Sequence, residues 1–82
     1  MTESKLKCQI FKGMFSDEVA VRVHAITGEI SFFVPRDLVQ GDVETQGTVR
    51  VRVFREQGHS WAQLPTENQA TIAVDEAQLV PA

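Results

Sequence analysis

The sequence predicts an all-β domain: a small antiparallel barrel of five to six strands built on two related β-hairpins. Three observations lead there. Val49-Arg50-Val51-Arg52-Val53-Phe54 alternates apolar and charged residues, the period of a strand with one face in a core and one in water. The same stretch is echoed 30 positions earlier by Val19-Ala20-Val21-Arg22-Val23, and aligning 19–35 with 49–65 gives six identities in 17 positions, Gly28/Gly58 and Pro35/Pro65 among them. X-Gly turn signals separate short apolar runs throughout, and no segment carries the 3.6-residue period of a long helix.

Length and composition agree with one domain spanning 1–82. A chain of 82 residues buries roughly 60–65% of its unfolded surface, enough for a modest core. Hydrophobic residues at 43% and charged residues at 23% speak against disorder, and a net charge of −3 against a body that coats nucleic acid. A lone cysteine excludes an internal disulfide and suits a reducing compartment. Met1–Cys8 has no apolar run of signal-peptide length, and no stretch approaches ~18 apolar residues. These features predict a soluble cytoplasmic protein with no membrane segment.

In chain order, Leu6, Cys8 and Ile10 alternate with lysines and Gln9 in a first strand. A two-residue turn at Lys12-Gly13 sets Ile10 opposite Phe15 and Leu6 opposite Val19; a longer loop over Met14–Asp17 is the alternative. The second hairpin turns at Thr27-Gly28, which pairs His24 with Ser31, Val23 with Phe32 and Arg22 with Phe33. Its inner face is Val21, Val23, Ala25, Ile30, Phe32 and Val34, and its outer face Arg22, His24, Ile26, Glu29, Ser31 and Phe33. Residues 35–46 form a long connection anchored by Leu38, Val39 and Val43, with a helical turn expected at 36–40. The third hairpin turns at Gln57-Gly58 and pairs Arg55 with Ser60, Phe54 with Trp61, Val53 with Ala62 and Arg52 with Gln63. A turn at Thr66–Asn68, a strand through Ala70, Ile72 and Val74, a helical turn at 75–78 and a closing Leu79-Val80 complete the chain. Closure into a barrel, SH3-like or OB-like in architecture, hides edges that invite foreign strands; a two-sheet sandwich is the other arrangement.

Chemistry has few candidates. His24 opposite Ser31 is a nucleophile–base pair on paper, yet no orienting carboxylate, glycine-rich elbow or phosphate loop accompanies it, so no enzyme is expected. Cys8 points inward while His24 and His59 lie outward on different hairpins, so neither a metal nor a cofactor is expected.

The outer face is the feature above background. Arg22 beside Phe33, and Arg50 and Arg52 beside the Phe54–Trp61 pair, interleave guanidinium groups with aromatic rings. Such a face suits protein contact, either a protein partner or a homodimer. It also suits single-stranded RNA or DNA, whose bases stack on rings. Protein contact is favoured, because Glu29 and Glu56 flank the face, the lysines are confined to the first strand, and residues 56–82 contain no Lys or Arg. A structural alternative has the 35–46 connection covering these aromatics.

Overall fold

The computed structural model describes residues 1–81 and places eight antiparallel strands in one curled, half-barrel sheet. They are β1 (Thr2–Lys12), β2 (Glu18–Ala25), β3 (Gly28–Pro35), β4 (Val39–Gln40), β5 (Gln46–Glu56), β6 (His59–Gln63), β7 (Thr71–Val74) and β8 (Leu79–Pro81). Short 3₁₀ turns at Arg36–Leu38 and Glu76–Gln78 precede β4 and β8. The order is β3-β2-β1-β5-β6-β7, with β4 joined to β5 and β8 to β1. The all-β antiparallel expectation holds, as a single curled sheet and not two facing ones. The short β4 and β8 raise the strand number above the expected five or six.

The pairing repeats itself. β1, β2 and β3 follow one another as neighbours, as do β5, β6 and β7, and each trio is followed by a 3₁₀ turn and a short strand. The short strands cross over. Leu6 of β1 pairs with Val49 and with Leu79 of β8, whereas Val49 of β5 pairs with Leu6 and with Val39 of β4. Each half therefore completes the other. The cross-strand rows correspond: Ile10–Val21–Phe32 in the first half matches Val53–Ala62–Ile72 in the second, and Lys12–Val19–Val34 matches Arg55–Ser60–Val74. Both hairpins expected from the 30-residue echo are present. The sheet's own repeat runs at a longer spacing, from Val34 to Val74, and sequence identity barely marks it.

Register is set locally where the turn chemistry is strong. Gln57 and Gly58 both have positive φ (54° and 76°), the conformation a two-residue hairpin turn requires. The expected β5–β6 pairs form from Glu56–His59 to Arg52–Gln63, Phe54 with Trp61 among them, and β6 ends before the expected Val51–Leu64 pair. The β2–β3 turn is Ile26-Thr27 and not Thr27-Gly28, so His24 faces Glu29, Arg22 faces Ser31 and Phe33 faces Ala20. This correction is a shift of two residues, which changes partners but keeps every side chain on its expected face. The two-residue turn at Lys12-Gly13 does not form. A loop over residues 13–17 puts Ile10 opposite Val21 and Cys8 opposite Val23, giving Cys8 the apolar partner that a tight turn would replace with Asp17. Ile26 N–H donates to the Ala73 carbonyl at 2.9 Å, bringing the tip of the β2–β3 hairpin onto β7 as the sheet curls.

Inside the curl, Leu6, Ile10, Val21, Val23, Val49 and Ala62 are fully buried, and Cys8 packs among them. Burial pushes the Cys8 thiol up to about 11, so it is an inert thiol at neutral pH. The crossing of β4 over β5 requires Gly47, because a Cβ there would run into the Gln40 carbonyl and lie 2.6 Å from Ile10 Cδ1. At the matching place in the first half stands Ser4, whose hydroxyl donates to the Val80 carbonyl at 2.9 Å. The second half has a polar clamp of its own. Arg55 donates twice to Glu76 (2.8 and 3.1 Å) and the buried Ser60 hydroxyl donates to the same carboxylate at 2.5 Å, tying the 3₁₀ turn to the β5–β6 hairpin. These hydrogen bonds hold Glu76 below the usual carboxylate range.

Candidate interaction surface

Strand alternation puts Phe11, Ala20, Arg22, Phe33, Arg50, Arg52, Phe54 and Trp61 on the outer side of the sheet, and pairing collects them into two rows. Phe11, Ala20 and Phe33 lie directly abreast on β1, β2 and β3; Phe54, Trp61 and Ala73 lie abreast on β5, β6 and β7. The rows occupy matching places in the two halves. They are far apart, because Val53 pairs with Thr2 while Phe11 lies nine residues further along β1. At ~3.3 Å per residue that is roughly 30 Å, most of the molecule's 39 Å length.

The predicted site residues thus divide. Arg22 and Phe33 belong to the first row, Arg52, Phe54 and Trp61 to the second, and Arg50 lies between. In the first row Arg22 stands with its guanidinium carbon 5.0 Å from the Phe11 ring centroid, a cation–π contact. Phe33, expected beside Arg22, is 52% exposed next to Ala20. In the second row Phe54 and Trp61 stack with centroids 6.4 Å apart and planes 13° from parallel, and His59 meets Trp61 edge-on at 6.5 Å. Both Phe54 and Trp61 are half-buried by these contacts. The first row is the open one. The 35–46 connection runs to β5 and bonds back to Ile10 through Glu44 N–H and the Thr45 carbonyl, leaving Phe33 uncovered.

Between the rows lies a cationic band that local reading of the sequence missed. Pairing of β1 with β5 sets Lys5 directly opposite Arg50, with Lys7 and Arg52 on either side and Glu3 opposite Arg52. Two of the three lysines of the first strand, Lys5 and Lys7, are therefore neighbours of the arginines on β5. Arg50 and Arg52 also line a shallow notch of about 210 Å³ with Leu38, Gln63 and Pro65. Its counterpart in the other half, about 440 Å³, is lined by Lys7, Gln9, His24 and Gln78.

Three further apolar side chains extend the first half's exposure. Met14 is 76% exposed, Phe15 69% and Ile26 59%. Phe15 had been expected to face Ile10 from a tight turn; in the 13–17 loop it faces water. Phe11-Lys12-Gly13-Met14-Phe15 carried the only signal, apolar residues crowding a glycine. His24, expected opposite Ser31, has Nδ1 3.5 Å from Glu29 instead, so the paper nucleophile–base pair does not assemble. Among the described residues no three His, Cys, Asp or Glu side chains gather where they could hold a metal, and no helix is long and apolar enough to cross a membrane. No protein-family model, curated protein or solved structure matches the chain.

Proposed function

We propose that this chain is a non-catalytic interaction module, binding a protein partner or a second copy of itself through its outward Arg/aromatic surface in the reducing cytoplasm. The observation that carries this reading is the open first row. Phe33 stands half-exposed in the same row as Phe11, whose ring Arg22 overlies, with Met14 and Phe15 on the adjoining loop, and aromatic and arginine side chains together are what protein hot spots use. The compartment rests on the single buried thiol.

The second reading, a single-stranded RNA or DNA binder, draws support from the band of Lys5, Lys7, Arg50 and Arg52 between the rows. One experiment separates the two. Phe33→Ala and Arg52→Ala are compared with the parent protein for self-association by sedimentation and for binding of a fluorescent single-stranded oligonucleotide at several salt concentrations. Protein contact predicts that Phe33→Ala weakens association while unfolding stays cooperative, and that oligonucleotide binding is weak. Tight oligonucleotide binding that falls steeply with salt, and is shallower in Arg52→Ala, would replace it with the second reading.

A further inference from the structure

The two outermost strands of the sheet are protected unequally. β7 has four residues, and the tip of the β2–β3 hairpin lies on it through the hydrogen bond from Ile26 to Ala73. β3 has eight residues, and among the described residues it pairs with β2 alone. Natural sheets blunt a long free edge with lysine, proline or a bulge. Between Glu29 and Val34, β3 carries none of these, and its Ile-Ser-Phe-Phe-Val run has high β-propensity. Ile30 and Phe32 point inward and pack on the core, yet both remain only half-buried.

We propose that β3 is the edge across which a second copy of this chain pairs, antiparallel and two-fold symmetric about Phe32. This rests on the protein-contact reading above and names the partner. A two-fold contact must be self-complementary, and β3 meets that demand in this register. On the inner face Phe32 meets Phe32 of the second copy, and Ile30 meets Val34 on either side, so three apolar pairs continue the core. On the outer face Phe33 stands opposite Ser31 of the second copy. At the rim Glu29 stands opposite Pro35 of the second copy, so no like charges meet across the contact. A register shifted by one residue would bring inward side chains opposite outward ones and lose all of this. The exposure of Phe33 and the half-burial of Ile30 and Phe32 then have one cause.

The test uses the full chain. Sedimentation velocity over a wide concentration range should show a monomer–dimer equilibrium. Ser31→Lys with Phe33→Lys alters two exposed positions and sets lysine against lysine twice across the proposed contact, so it should weaken dimerisation by roughly tenfold with cooperative unfolding retained. Ser31→Cys with Phe33→Cys should form interchain disulfides under mild oxidation, because these positions face each other between copies but lie too far apart to bridge within one strand. A parent protein that stays monomeric throughout overturns the proposal and leaves a different protein partner as the reading. Dimerisation indifferent to the lysine pair, with no crosslinking by the cysteine pair, also overturns it and moves self-association to another surface.

Discussion

The two halves of this sheet follow one path through space and carry different chemistry. Where the second half has Arg55, Ser60 and Glu76 joined in a clamp, the first has Lys12, Val19 and Arg36 at the matching places, two cations and a buried valine. Where the second half ends its outer row in Ala73, the first ends in an exposed Phe33. Among the described residues every strongly exposed large apolar side chain, Met1, Met14, Phe15, Ile26 and Phe33, belongs to the first half. A shared backbone path needs only the inward pattern. The outward positions and the turns are free to diverge, and here one half has become closed and polar while the other presents apolar surface.

The most severe way to break the symmetry is at its centre, where both halves meet. Leu6 pairs with Val49 and Leu79 and is fully buried, so Leu6→Ala should lower the unfolding free energy by about 2–5 kcal/mol. Val49→Ala, at the matching place, should cost less because a smaller side chain is removed. Urea denaturation of both variants measures this. Equal, negligible losses would mean that the halves do not share a core. Next comes the crossing of the short strands. Gly47→Ala forces a methyl group against the Gln40 carbonyl and Ile10 and should cost about 1–3 kcal/mol. Ser4→Ala, its counterpart, loses only the hydrogen bond to Val80, about 0.5–1.5 kcal/mol.

The clamp offers a finer test. Glu76→Gln should lower the urea midpoint at neutral pH, whereas Arg36→Gln should leave it unchanged, since Lys12 and Val19 offer Arg36 no acceptor. Because the folded-state pKa of Glu76 is depressed, its contribution is fully present above the ordinary carboxylate value of 4.5 and is lost as pH falls through the folded value. Parent and Glu76→Gln midpoints should therefore converge in strong acid; a gap that persists there would place the clamp's role elsewhere. The smallest effect is expected when the second half is made to copy the first. Ser60→Val replaces a buried hydroxyl with the side chain found at Val19, and the lost hydrogen bond is offset by apolar burial, so stability should change by less than about 1 kcal/mol.

These contrasts also show what could be read in advance. Alternation predicted nearly every inward side chain, because a period of two survives even the two-residue error at Ile26-Thr27. Gln57-Gly58 fixed its own register since both residues adopt positive φ, while Gly28, at φ 138°, sits just outside its turn and misled the count. The pairings of β1 with β5 and β8, and of β4 with β5, leave no local trace. They bring residues from distant parts of the chain together through core shape. For that reason Lys5 and Lys7 could not be placed beside Arg50 and Arg52, nor the two aromatic rows be told apart. Phe15 was misplaced for a related reason: a glycine after Lys12 suggests a tight turn, and only the apolar match of Cys8 with Val23, in place of Asp17, selects the wider loop.

The central claim is that the first half carries the contact edge and the second half is closed. Amide hydrogen exchange of the full chain, followed by mass spectrometry at low and high protein concentration, tests it most directly. Protection that rises with concentration in β3, Glu29–Val34, while β6 and β7 exchange unchanged, is the predicted result. Exchange independent of concentration everywhere, or new protection centred on Trp61 and β7, would contradict it.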